Sequence, residues 1–396
     1  MANLSHIQQA KVLIVVSGYS SAGVGEQYIK SMLANREQTN TWRYSPVVTE
    51  GIVPSEQNTT VRKVAFHRLP GLSHIALRHF QQKELAQCVQ EVKDLVTQHD
   101  IDVLWVFLNS WYSIQIASQL SEHLTIPMVA HVWDTPEYLA SKLRTTARYK
   151  ADLMNAFDTV MKTAARAVTV SEAMTTEYMA RYSVESTPMV LCPPVSTWQD
   201  PLLQQGETIR LIFAGSLYAF KQWNAMLDAV EHNNKQEHRK RISVTCIGNV
   251  SRRLRKRKWV DYLPIMAPEE AAKMVNEADI AYLPYWMSAS HAYFVNMAFP
   301  GKMSFYTVAG TPILYHGPKE STPTSFLEKY KVGLSCHTNE VTDICDAIQA
   351  ITETDFLTHY KMHRSKAIEE VFHPQNCIDI FNSTLAKALH LSTFTK

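Results

Sequence analysis

No stretch of this chain approaches the ~20 consecutive apolar residues that a membrane-spanning helix needs. The run VLIVV near the start is short and lacks the charged beginning and small-residue cleavage site of a secretory signal. It therefore reads as a first buried strand in a cytoplasmic protein, at most peripheral to the inner face of the membrane. An excess of one charge is missing as well. With 39 basic against 37 acidic side chains the net charge is +2, which gives no general electrostatic claim on nucleic acid or membrane. The six cysteines show no CxxC spacing, and Cys192, Cys246 and Cys336 lie in apolar, strand-like runs, so reduced buried thiols are expected rather than disulfides. No aspartate pair has metal-binding spacing, and neither a bound metal nor a resident cofactor is expected. The absence of short-period repeats and low-complexity tracts excludes solenoids and arrays.

What is present is ample apolar material, 46% hydrophobic against 19% charged residues, enough for a globular chain throughout. A length of 396 residues exceeds one ordinary core and points to two or three domains. Short apolar runs alternate with helix-length amphipathic segments, the pattern of βαβ units around a parallel sheet. Strands are expected at 11–17, 62–67, 102–108, 127–133, 167–171 and 188–192, with helices at 84–98 and 136–165. The pattern restarts at TIRLIFAGS (208–216) and continues through RISVTCIGN, ADIAYLPY, TPILYHG and KVGLSC. Prolines and polar residues in PPVSTWQDPLLQQGE interrupt the periodicity between the halves. Domains are accordingly expected at 1–195 and 196–372, followed by a segment at 373–396 that crosses back to the first.

Open α/β sheets bind ligands at the carboxyl ends of their strands, where free helix N–H groups attract anions. Two loops qualify. SGYSSAGVGEQ carries Gly23 and Gly25 between the first strand and a helix at 26–33, without GxGxxG spacing, which disfavours a dinucleotide. AGSLYAFKQW ends a strand at Gly215 and Ser216 and places Lys221 at the start of the next helix. A lysine there opposes the helix dipole but suits a diphosphate whose charge grows as a sugar departs. His131 ends an apolar strand with Asp134 three residues on. Trp111 belongs to an aromatic cluster near a loop, and aromatic faces pack against sugar rings as readily as they fill cores.

AGSLYAFKQW, ADIAYLPYW, FPGKMSFYTVAGTPIL, HVWDTPEY and AVTVSEAMTTEYM together resemble the motifs of retaining GT-B glycosyltransferases of the glycosyltransferase family 4 group. The resemblance implies an α/β GT-B fold, two Rossmann-like domains with parallel sheets facing a central cleft. It implies transfer of a hexose-type residue from a nucleotide-sugar to a glycan or lipid-linked acceptor, with retention and without a metal. Carried over, it makes His131 the active-site histidine facing the transferred sugar and Lys221 the diphosphate contact, with Gly23 and Gly25 shaping the cleft.

The departures are equally specific. The two glutamates usual around the donor loop of such enzymes fall here on Met297 and Phe305, and the arginine usual after the glycine is Ser216. Losing a ribose carboxylate removes a charge-assisted hydrogen bond, typically ~1.5–3 kcal/mol. Asn296, Lys302, Ser304 and Tyr306 are the candidate replacement donor contacts. The run Arg252, Arg253, Arg255, Lys256, Arg257 and Lys258 suits a solvated face or an anionic membrane surface, and no aromatic-interleaved RNA motif accompanies it, so no nucleic-acid partner is expected. Competing readings are a catalytically silent scaffold subunit, a nucleotide-sugar epimerase and a periplasmic-type sugar-binding protein.

Overall fold

A computed structural model describes residues 4–18, 24–47, 58–64, 74–143, 146–203, 206–248, 257 and 259–394. The chain divides into two compact units, Met1–Met189 with Cys377–Lys396, and Val190–Asn376.

The first unit holds strands β1 (Val12–Val15), β2 (Thr41–Val47), β3 (Thr59–Lys63), β4 (Val103–Phe107), β5 (Met128–Val132), β6 (Arg166–Thr169) and β7 (Ser186–Pro188). Its helices are α1 (Leu4–Gln9), α2 (Val24–Leu33), α3 (His74–His99), α4 (Trp111–Ser121), α5 (Pro136–Lys142), α6 (Ala147–Thr163) and α7 (Glu172–Tyr182). The sheet order is β3-β2-β1-β4-β5-β6-β7, every pairing parallel. Strands covered on both faces need apolar residues at successive positions rather than alternating ones. VLIV, VLWVF and MVAHV meet that need, and all of their residues are buried. Side-chain caps start the helices that follow: Ser110 caps α4 in a capping box with Ser113, Thr135 caps α5, and Ser171 caps α7.

The second unit holds β8 (Thr208–Ala214), β9 (Arg241–Ile247), β10 (Val260–Leu263), β11 (Ile280–Pro284), β12 (Ile313–His316) and β13 (Gly333–Cys336), in parallel order β10-β9-β8-β11-β12-β13. Its helices are α8 (Phe220–Asn234), α9 (Pro268–Asn276), α10 (Ala292–Met297), α11 (Gly301–Ala309), α12 (Thr322–Tyr330), α13 (Val341–Ile351) and α14 (Thr354–Ala367), with a π-helical turn at Ile368–Phe372. The last helix, α15 (Pro374–Phe394), contributes Phe381 to the first unit, its ring 4.7 Å from that of Trp105. Both sheets thus have the doubly wound Rossmann order, each with a switch point, between β1 and β4 and between β8 and β11.

Several expected elements shift. β2, TWRYSPV, is a strand the periodicity does not reveal, because it carries Pro46 and a buried arginine. Arg43 is tolerated inside through an ion pair with Glu26 of α2 at 2.8 Å. The expected strand at 62–67 lies at 59–63, and the one at 188–192 at 186–188. The helix expected over 136–165 is two, because Leu143 after α5 is extended and Thr146 begins a new cap. β10 is short and half polar, and so was missed. All six cysteines are buried and none forms a disulfide.

Candidate functional site

In the second unit the switch point lies beside Gly215. Its φ of +116° is open to glycine and strained for other residues, and its N–H extends the β8–β9 ladder to the Ile247 carbonyl. Gly248, just past β9, has φ +143°, and a Cβ there would stand 2.3 Å from the Gly215 oxygen. The two backbones therefore lie closer than any side chain permits, and Gly248 is a site residue that sequence reasoning missed. Its signal was present in RISVTCIGN, a glycine immediately after an apolar strand.

Lys302, in the first turn of α11, lies over this glycine, its Cε 3.0 Å from where a Gly215 Cβ would be. Its ammonium sits 4.8 Å from the ring centre of Tyr218 and 5.5 Å from that of Phe213. Among the described residues no carboxylate reaches it, and burial lowers its pKa to about 8. α8 and α11 begin at Ala219 and Pro300 without side-chain caps, so their first N–H groups have no side-chain acceptor. An uncompensated cation beside two open helix N-termini suits an anion. Next to it Tyr218, Tyr285 and Trp286 form an aromatic group, and His291 stacks on Trp286 at 4.5 Å and 12°.

The other expected donor contacts differ in their exposure. Lys221 is in the first turn of α8 and exposed, as are Ser216 and Asn296. Ser304 is fully buried and donates to the Gly301 carbonyl of its own helix, leaving it no reach to a ligand. Tyr306 is also fully buried. Its hydroxyl accepts from the Ala214 N–H at 2.9 Å and donates to the Ala214 carbonyl at 3.2 Å, so it joins α11 to the end of β8 and positions Lys302 rather than touching a ligand. Met297 is part of the core and Phe305 packs against it.

In the first unit, β1 and β4 end in a polar knot. Ser110 Oγ donates to Ser17 Oγ at 2.6 Å, and the Asn109 amide bonds both backbone groups of Ser17. His131 lies in the core. It is fully buried, stacked on Phe107 at 4.4 Å, with Nδ1 accepting from Trp105 Nε1 at 3.1 Å and Nε2 bonded to the Tyr28 hydroxyl at 3.2 Å. Tyr28 donates its own proton to the Met189 carbonyl, so Nε2 carries the histidine's proton and the ring is neutral. Burial accordingly drives its pKa well down. With both nitrogens engaged it packs as a core residue.

Gly25 lies in α2, where a Cβ would come within 2.9 Å of the Trp133 indole, so its small size admits that ring. Gly23 lies outside the described residues. Asp134 is partly buried at the end of β5, with its pKa raised by burial against the opposing effect of Lys142. Trp111 opens α4 and stacks on Tyr149 of α6 at 5.2 Å and 14°. Of the basic run, only Arg257 is described; it pairs with Glu231 and Asp228 on α8 and is thereby committed to this unit's surface. No helix among the described residues is long and apolar enough to cross a membrane.

No protein-family model matches the chain, and no curated protein matches it in sequence. Solved structures do match. The α,α-trehalose 6-phosphate synthase of Burkholderia multivorans superposes with a TM-score of 0.67 at 12% identity over 98% of both chains. The sucrose-phosphate synthase of Thermosynechococcus elongatus gives 0.62 at 12% over 98% of both. Anabaena HepE, solved with UDP and glucose, gives 0.60 at 13% identity over 98% of this chain and 99% of its own. These likenesses show the fold: two Rossmann-like, parallel-sheet domains of the GT-B class.

Proposed function

We propose that this chain is a glycosyltransferase that moves a hexose-type sugar from a nucleotide-sugar to a glycan or lipid-linked acceptor. One observation carries the reading: the Lys302 ammonium, unmatched by any described carboxylate, held against Gly215 at the switch point of the second sheet. The similar structures support it, since they include sugar-phosphate synthases and a protein bound to UDP and glucose.

In this reading the donor diphosphate lies across Gly215 and the starts of α8 and α11. As the bond from the anomeric carbon to phosphate oxygen breaks, Lys302, Lys221 and the free N–H groups take up the growing charge. The acceptor oxygen bonds to the anomeric carbon, and its proton passes to the departing phosphate, so retention needs no carboxylate base. The lysines supply the counter-charge, and transfer is expected to persist in a chelator. Met297 and Phe305 offer the ribose no carboxylate, which leaves nucleotide choice to the aromatic group around Tyr218 and Trp286.

The test is a panel of nucleotides followed by thermal unfolding. The cognate nucleotide at 100 times its dissociation constant is expected to add ~2.7 kcal/mol, and Lys302→Met to remove that gain. If no nucleotide stabilises the protein and no nucleotide-sugar is consumed, the reading fails.

A further inference from the structure

A groove of about 310 Å³ runs along the helical flank of the first unit, lined by α3, α4 and α6, which puts it at the small end of the ~300–1,000 Å³ range of ligand sites. Among its described lining residues the polar groups are mainly side-chain amides and hydroxyls, among them Gln115, Gln119 and Asn155, with Asp152 the one acidic group and no lysine, arginine or histidine. With no cation among the described lining residues, it offers a phosphate or nucleotide no charge partner. With Leu85 and Ala156 as its aliphatic members, it offers too little apolar surface for a lipid chain or an amphipathic helix.

The floor is assembled rather than incidental. Gln81, 1% exposed, hydrogen-bonds the Tyr149 hydroxyl, and the Tyr149 ring lies parallel to that of Trp111 at 5.2 Å. Gln115 in turn donates from α4 to the Asp152 carbonyl of α6 at 3.2 Å, fixing the spacing of the two walls. The half-buried Tyr149 ring, backed by the buried Trp111 and bordered by neutral amides, suits one ligand class. The C–H face of a pyranose packs on a ring, while its adjacent hydroxyls both donate to and accept from planar amides.

We infer that this groove binds a segment of neutral glycan, as a holding site separate from the one at Gly215. The inference stands without the transfer activity proposed above, since it rests on different residues in the other unit. It is tested by saturation-transfer NMR on the full chain with maltotriose, cellotriose and mannotriose as probes, each with and without UDP. At least one trisaccharide is expected to receive saturation unaffected by UDP. Asn155→Arg, an exposed change that introduces a bulky cation, and Tyr149→Ala are each expected to weaken that binding about tenfold, equivalent to ~1.4 kcal/mol. Absence of transfer to all three sugars at millimolar concentration overturns the inference. So does binding that Asn155→Arg leaves unchanged in a protein with native circular dichroism, binding that UDP abolishes, or binding confined to a sulfated oligosaccharide run in parallel.

Discussion

His131 and His316 are buried imidazoles held neutral by their surroundings, and acid should find them. Burial depresses His316 from 6.5 to about 4, and its Nε2 is bonded to the Thr338 carbonyl at 2.6 Å. The unfolded chain binds more protons than the folded one between these values, so stability is full above about 6.5 and is lost as pH falls towards about 4. Denaturant titrations across that window are expected to show the loss, and His316→Asn to flatten it. His131→Ala should cost ~2–5 kcal/mol through the cavity and the orphaned Trp105 N–H while leaving nucleotide affinity of the folded protein unchanged. A large loss of sugar transfer at unchanged stability would instead place His131 in the active site. Lys302 behaves in the opposite sense as a ligand contact. Its ammonium is present below about 8 and discharges above, so nucleotide affinity measured by calorimetry should weaken as pH rises through that value.

At the scale of the element, α11 is the part that delivers Lys302, and it is fastened through its C-terminal half. Tyr306 ties it to Ala214 of β8, and the buried Arg364 guanidinium of α14 donates to the Thr307 and Val308 carbonyls near its end. Tyr306→Phe leaves the Ala214 N–H without its acceptor and should cost ~1–3 kcal/mol, with a weaker nucleotide affinity as the β8–α11 junction loosens. Gly248→Ala should do more, because its Cβ would meet the Gly215 oxygen at 2.3 Å at a φ that disfavours alanine. Denaturation and nucleotide titration of both variants check this. Of these features, the strand–loop–helix at Gly215 was legible as an apolar run ending in glycine. The placement of Tyr306 was not, since a tyrosine in a helix beside a lysine reads the same whether it faces ligand or core.

Across the whole molecule the two units are built alike but closed differently in sequence. The second is continuous from Val190 to Asn376, whereas the first needs Cys377–Lys396 to be complete. Phe381 is the visible anchor of that return, buried against Trp105 and beneath the Arg36 guanidinium. Phe381→Ala is expected to cost ~3–5 kcal/mol, read from tryptophan fluorescence during chemical denaturation. An effect below 1 kcal/mol would show that the last helix is not part of that core.

Sequence alone determined the architecture, because parallel strands buried on both faces must be written as unbroken apolar runs, and such runs repeated twice in this chain. It also marked the glycine turn at Gly215, at the end of β8. Tertiary structure alone decided which polar side chains face outward. His131, Ser304 and Tyr306 differ from Lys302 only in what other segments pack around them, and those neighbours, Trp105 and Tyr28 in one unit and Ala214 and Phe213 in the other, are brought up by sheet pairing between residues tens of positions apart. Burial and hydrogen-bond partnership are properties of such contacts, and no local pattern records them.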